Sequence, residues 1–441
     1  MKVLYATMQY GRGYGQGTER YLSILGDGLR QRGHEAIVLA GDPERRGPPL
    51  PPGATVESDP LVLACPSFGR MAVVGGRPEE LAGLISRHRP DVVHVTNPAH
   101  IGVGVIFAAR SLQIPVVVTV MDYWWLCPKH TLRHYQRATC DGRVSWRECA
   151  RCTTAEHPRP WLRALARTPV LGDVVLPPAL LLGSALKGTP IGELRRWPRR
   201  RTILAEALNS ASAVIFPSKT GRRLLEPVLR GPRACSIPYG LEPRWFDAGR
   251  RRKSSLNDDE LGSVDPAGMT IGYAGALAEH KGVHVLLEAV AGLGWTRTRV
   301  RIAGAGADAR YAKRLHASAA GLKVEFVGQV ASEQMPAFLS ELDLLVVPSL
   351  WPENLPIAVL EAQAVGVPVL ASRVDGIAEM LPRDEDLFER GSAASLGQRL
   401  KRWCSNPHAP NDAKVTTADA MVEDTLKVYE QITAGSRPCD D

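Results

Sequence analysis

The stretch "WPENLPIAVLEAQAVGVPVL", residues 351–370, follows the apolar run "LLVVPS" at 344–349 and leads into "VPVLAS" at 367–372. It reads as strand, loop, helix, strand. Pro356 fits a first helical turn because its missing N–H has no intrahelical partner there, and Gly366 with Pro368 closes the helix. Glu353 therefore falls in the loop that enters the helix, and Glu361 falls inside it. A helix start presents free N–H groups and partial positive charge, so this arrangement favours a bound anion beside the two carboxylates.

The same alternation continues on both sides of that stretch. Towards the N-terminus it runs through "TIGYAG" (270–275), "GVHVLLEAVAGL" (282–293), "VRIAGAG" (300–306), "YAKRLHASAAG" (311–321), "KVEFVG" (323–328) and "QMPAFLSELD" (334–343). Short apolar runs separated by amphipathic segments predict β-α units around a parallel sheet. The first half shows the pattern again in "KVLYAT", "EAIVLAG", "DVVHVTN", "IPVVVTV" and "SAVIFPS", interrupted from about 126 to 205. The polar stretch "GRRRKSSLNDDELGSVDPAG" at 249–268 reads as a surface linker. The expected fold class is thus α/β with two Rossmann-like domains, residues 1–240 and 241–415. A final helix within 416–441 is expected to brace the first domain. Ligands of open α/β sheets bind outside the carboxyl ends of the strands, so function is expected in a cleft between the halves.

A chain of 441 residues with 44% hydrophobic and 23% charged residues has the composition of a folded globular protein. Its net charge of +8 suits an anionic ligand, whether phosphorylated or lipid. The densest basic run, "LRRWPRRR" at 194–201, carries none of the surroundings of a nucleic-acid fold, and nucleic acid is not expected as a partner. Neither the N-terminal run nor "VLGDVVLPPALLLGSAL" at 170–186 has the length and apolarity of a signal peptide core or a spanning helix. The expectation is a cytoplasmic chain, with weak membrane-surface association through 170–201 as an option. Cys127, Cys140, Cys149 and Cys152 crowd one region. The C-x2-C at its end makes them candidates for a structural zinc, with buried thiols or bridges as the alternatives.

Lys281 stands in the loop after "TIGYAG", beside the next helix start, where it can neutralise a phosphate. Taken together, "YAGALAEHKG", "RIAGAG", "FVGQV", "VVPSLWPENLPIAVLEAQAVGVPVLAS" and "GIAE" resemble the family 4 retaining glycosyltransferases of the two-Rossmann glycosyltransferase B fold, most closely from 270 to 380. The resemblance implies metal-independent transfer of a sugar from a nucleoside diphosphate sugar to a small-molecule or lipid-linked acceptor, with no cofactor needed for catalysis. Glu361 would bind the donor ribose and Glu353 would face the reacting sugar. Lys281 and the N–H groups of Asn354 and Leu355 would hold the diphosphate, Gly328, Gln329 and Val330 would line the base, and Gly275 and Pro356 would also belong to the donor site. On the acceptor side the resemblance points to Gly15, Gly17 and Thr18 in "GRGYGQGTER", and to Met121, Asp122, Tyr123 and Trp124 in "VTVMDYWWLCP", with packing as the alternative for the two aromatics.

The chain departs from that pattern at three positions. Met121 stands where such enzymes commonly carry His, Ala276 where many carry Arg, and Asp375 replaces the first of two glycines before Ile377. A nucleotide-sugar epimerase of the same architecture and a non-enzymatic nucleotide-sugar sensor are the competing readings.

Overall fold

The computed structural model describes residues 1–11, 17–42, 55–58, 60–65, 68, 72–136, 139–156, 159–168, 192–255, 263–409 and 414–435. Gly15 and the apolar segment 170–186 lie outside the described residues. The chain divides into two compact units, Met1–Tyr239 with Ala418–Asp441, and Gly240–Thr417.

In the first unit, β1 (Lys2–Gln9), β2 (Glu35–Asp42), β3 (Thr55–Ser58), β4 (Leu61–Ala64), β5 (Val92–Asn97), β6 (Val116–Thr119), β7 (Ala213–Phe216) and β8 (Arg233–Ser236) form one sheet in the order β3-β4-β2-β1-β5-β6-β7-β8. Every pairing is parallel except that of β3 with β4. Helices cover both faces, so the central strands are apolar throughout rather than alternating; Val92, Val93, Val95 and Val116, Val117 and Val118 are all fully buried. The C-terminal helix Ala418–Thr433 belongs to this unit. It approaches the helix Gly17–Gln31 so closely that a Cβ at Gly28 would lie 2.6 Å from Val422 Cγ2. Its Tyr429 hydroxyl meets His94 Nδ1 at 2.5 Å, while His94 Nε2 meets Thr119 Oγ1 at 2.7 Å. Burial in this pocket lowers the His94 imidazole to about 3, keeping it neutral.

The second unit carries β9 (Thr270–Ala274), β10 (Arg299–Ala303), β11 (Lys323–Gly328), β12 (Leu344–Val347), β13 (Val369–Ser372) and β14 (Leu387–Phe388), all parallel, in the order β11-β10-β9-β12-β13-β14. The order reverses at β9, whose neighbours are β10 on one side and β12 on the other. That pair of carboxyl ends is the switch point at which ligands of such sheets bind. Leu241 N donates to Thr416 O at 2.9 Å, tying together the two chain segments at the borders of this unit.

Candidate active site

The site grows from the loops that leave β9 and β12. After β9, Glu279–Lys281 forms a single 3-10 turn, and Gly282 at φ 75 starts the helix Val283–Gly292. A Cβ at Gly282 would lie 1.9 Å from Pro348 O, in the loop after β12. Glycine is required there twice over, by the left-handed backbone and by the approach of the second loop. Leu350 N donates to His280 O at 2.8 Å, and the Trp351 ring meets the His280 ring edge-on at 4.7 Å. The two loops are interlocked before any side-chain chemistry is considered.

Glu353 lies inside that interlock, 5% exposed. Its Oε1 accepts from Lys281 Nζ at 2.8 Å, Ser349 Oγ at 2.6 Å and Trp351 Nε1 at 2.7 Å. Burial pushes this carboxyl up, but the Lys281 charge and the three hydrogen bonds outweigh it and hold Glu353 below the ordinary carboxylate range. Lys281 Nζ also stands 4.9 Å from the centre of the Trp351 ring, a cation–π contact.

The helix after this loop spans Ile357–Val365. Pro356 is its N-cap residue, one position before the first turn expected for it, with extended backbone at φ −71 and ψ 105. Gly366 ends the helix at φ 78, its N–H bonding to Ala362 O and Gln363 O, a left-handed stop of the kind the sequence predicts. Glu361 is 5% exposed and Asn354 7%, both buried polar groups next to the same loop. Gly376 packs beneath them: a Cβ there would sit 2.0 Å from Glu353 O and 2.5 Å from Asn354 O. The close approach thus falls on the second glycine position, which the chain keeps, whereas Asp375 opens the short helix Asp375–Ala378.

The remaining donor-side residues stand at other strand ends. Gly275, at φ 151, follows β9 and donates its N–H to Ala303 O at 3.0 Å, and Ala276 O accepts the Tyr273 hydroxyl at 2.8 Å. Gly328 ends β11 at φ 79, followed by Gln329 and Val330, with Gly304 N donating to Gly328 O at 2.7 Å. These three sit at the sheet edge, with β10 between them and β9. Lys281 and Glu353 are brought into contact across 72 residues of sequence. Ser349, Trp351 and His280 are site residues that sequence reasoning missed. The available signal was Trp351, two positions before the loop glutamate.

In the first unit, Asp122 stands beyond the end of β6. Its carboxylate accepts from Asn97 Nδ2 at 3.0 Å, Trp124 N at 2.8 Å and His130 Nδ1 at 2.8 Å. Burial pushes Asp122 up, and the His130 charge and these hydrogen bonds bring it below its ordinary value. Met121 is half-buried beside it, and Gly17 and Thr18 open the helix Gly17–Gln31. Tyr123 and Trp124, expected on the acceptor side, are each 1% exposed and pack into apolar clusters of this unit. The basic run 194–201 is partly internal: Trp197 is 3% exposed, and Arg200 is 6% exposed over the Trp124 ring, its guanidinium donating to Trp124 O. Aromatic faces and an Arg stem bury more apolar area together than either does at the surface.

The four clustered cysteines are all unbridged and line one cavity. As a metal centre the expectation is not met by their present arrangement: among the described residues no group of three or more His, Cys, Asp or Glu side chains is set to hold a metal ion. No described helix is long and apolar enough to cross a membrane.

Comparison with known proteins bears on both units. The family model "Glycosyl transferases group 1" matches residues 264–419, and "Glycosyltransferase Family 4" matches residues 15–153. The chain belongs to the family 4 glycosyltransferases. It is 23% identical over 85% of its length to the sulfoquinovosyl transferase SQD2 of Arabidopsis thaliana, of which the match covers 61%. It is 22% identical over 82% of its length to a GDP-mannose-dependent alpha-mannosyltransferase of Corynebacterium glutamicum, of which 70% is covered. The chain therefore spans less than two thirds of the first of these relatives. Among solved structures, sucrose-phosphate synthase from Thermosynechococcus elongatus aligns over 99% of this chain and 100% of its own, with a TM-score of 0.63 at 17% identity. That likeness shows the glycosyltransferase B fold.

Proposed function

We propose that the chain transfers a sugar from a nucleoside diphosphate sugar to a small-molecule or envelope glycan acceptor, with retention of anomeric configuration and without a catalytic metal. The observation that carries this reading is the Lys281–Glu353 pair at the switch point of the second sheet, followed at once by a helix start and the buried Glu361. A departing diphosphate needs positive charge, which Lys281 and the start of Ile357–Val365 supply. The positive charge developing on the sugar ring needs a carboxylate, and Glu353 is held ionised for that task. A ribose diol needs an acceptor, the role given to Glu361.

Lys281 is hydrogen-bonded to Glu353. An arriving diphosphate competes for that ammonium, and Ser349 and Trp351 keep Glu353 Oε1 in place as Lys281 turns towards the phosphates. Retention follows if the acceptor attacks the face the diphosphate leaves, with a phosphate oxygen taking the acceptor proton. Lys281 and the helix start provide the charge stabilisation that a divalent cation provides in other nucleotide-sugar enzymes.

The test begins with a thermal-shift panel of UDP-, GDP-, ADP- and TDP-sugars. A ligand at about 100 times its dissociation constant adds ~2.7 kcal/mol. The donor so found is then offered to candidate acceptors in the presence of excess chelator, and the product linkage is read by NMR. An inverted anomeric centre, or activity abolished by the chelator, contradicts the proposal. Conversion of the donor without any acceptor favours the epimerase reading, and binding without turnover favours the sensor.

A further inference from the structure

Asp122 and His130 open and close the stretch "DYWWLCPKH", and the fold joins them into a pair with one ring nitrogen left over. The order of the first sheet reverses at β1, whose neighbours are β2 and β5, so the carboxyl end of β5 borders its switch point. Asn97 is the last residue of β5, 5% exposed, and both ends of its amide are engaged. Its Oδ1 accepts from Ala99 N at 3.0 Å, and its Nδ2 donates to Asp122 Oδ2 at 3.0 Å. Trp124 N holds the other carboxylate oxygen, Oδ1, at 2.8 Å, and the Trp124 ring is itself covered by Arg200. Asp122 is thus fixed from two sides before His130 reaches it.

His130 Nδ1 meets Asp122 Oδ2 at 2.8 Å. An ionised carboxylate only accepts, so the hydrogen of this bond sits on Nδ1, and in the neutral ring Nε2 then presents a lone pair. Among the described residues nothing hydrogen-bonds to Nε2, and the His130 side chain is 20% exposed. His130 has φ 64 and Leu132 has φ 47, and His130 N donates to Cys127 O at 2.9 Å. Left-handed backbone at two such residues persists only where the surroundings impose it, and here it accompanies a ring turned onto Asp122. The Asp122 charge is already met by three donors, so what the pair leaves to a ligand is a neutral lone pair. That suits the O–H of a sugar or cyclitol. A carboxylate or phosphate oxygen brings no hydrogen to share, and an ammonium finds the carboxylate occupied.

We propose that His130 binds the acceptor and selects its class: Nε2 accepts a hydrogen bond from a hydroxyl of a sugar or cyclitol acceptor, with Asp122 and Asn97 as positioning residues. The inference rests on the sugar-transfer reading and names the acceptor chemistry for it. No proton changes owner in this contact. It holds the acceptor in place, so its loss is expected in KM for the acceptor rather than in donor affinity.

The test uses the full chain and the variant H130N. The Asn amide nitrogen can replace Nδ1 as the donor to Asp122, and Asn adopts left-handed backbone readily, while the atom at Nε2 is removed. The donor is the nucleotide sugar selected from the UDP-, GDP-, ADP- and TDP-sugar panel, and methyl hexosides, octyl glucoside and myo-inositol are the hydroxyl probes. In H130N the acceptor KM is expected to rise about tenfold, with kcat within about threefold and donor Kd, from calorimetry, within about twofold. Should H130N fail to fold, NMR of the wild-type chain labelled with 15N-histidine decides: Nδ1 of His130 is expected to carry the hydrogen, and its Nε2 signal to shift on adding the glycosylated probe but not on adding donor alone. An acceptor KM in H130N within about threefold of wild type, a His130 Nε2 that carries the hydrogen or ignores the acceptor, or a wild type that binds donor yet glycosylates none of these probes would overturn the inference and leave the donor site standing. A wild type that binds no nucleotide sugar would remove the transfer reading, and this inference with it.

Discussion

Replacing Lys281 by Met tests the electrostatics of the site without any substrate. The substitution keeps most of the stem and removes the ammonium that stands 2.8 Å from Glu353 Oε1. A hydrogen bond between charged groups contributes about 1.5–3 kcal/mol. The Lys281 side chain is 24% exposed, so water screens part of this, and the Glu353 side chain, at 6%, is scarcely screened at all. We expect a coupling of ~2 kcal/mol in a cycle of wild type, K281M, E353Q and K281M/E353Q, measured by urea unfolding at pH 7. K281M alone should cost ~3 kcal/mol, because it leaves a buried carboxylate held only by Ser349 and Trp351. For a unit of this size, that lowers Tm by about 6–12 °C.

The pH dependence gives an independent reading of the same cycle. In the wild type the Glu353 carboxyl is held below its ordinary 4.5, so its contribution to stability is present above that pH and is lost as pH falls through the folded value. In K281M, burial acts with less opposition and raises the carboxyl, so the variant gains relative to wild type on acidification. The gap between the two proteins should narrow as pH drops from 7 towards 4. A coupling below about 0.5 kcal/mol at pH 7, or a gap that widens on acidification, would refute the account of how Glu353 is kept charged.

Other consequences separate the roles of individual groups. E361A should weaken nucleotide-sugar binding at least tenfold in titration calorimetry with turnover at saturation little changed, and E353A should lower turnover a hundredfold or more with binding largely kept; the opposite pattern would exchange their roles. Gly282→Ala should cost more than about 3 kcal/mol in urea unfolding, since a Cβ would lie 1.9 Å from Pro348 O on a backbone at φ 75. His94, neutral when folded because burial lowers it from 6.5 to about 3, makes stability fall with acidification across that window by up to ~1.4 kcal/mol per pH unit. Urea titrations of wild type and H94N between pH 7 and pH 4 should show that slope flattened in the variant, and equal slopes would contradict the buried neutral imidazole.

The sequence by itself determined what depends on neighbours along the chain. Unbroken apolar runs such as "VVVT" and "LLVV" can be satisfied only in a parallel sheet covered on both faces, and their alternation with helical segments was enough for two doubly wound units. Gly366 had to stop its helix because only a residue at ease with positive φ fits that stop. The placing of Glu353 in a loop and Glu361 in the helix was equally local.

What only the tertiary structure decided is which strand ends lie side by side. Nothing in the residues of β9 and β12 announces that these two strands are adjacent, and only that adjacency brings Lys281 to Glu353 and lets the Trp351 ring lie beside Lys281 and His280. The same limit left the surroundings of Tyr123, Trp124 and Arg200 open in the sequence. An aromatic or a guanidinium has one identity at the surface and in the core, and its burial follows from where distant segments pack. Sequence proximity sets backbone conformation, whereas a site assembled from several strand ends takes its chemistry from strand order, which packing of the whole sheet decides.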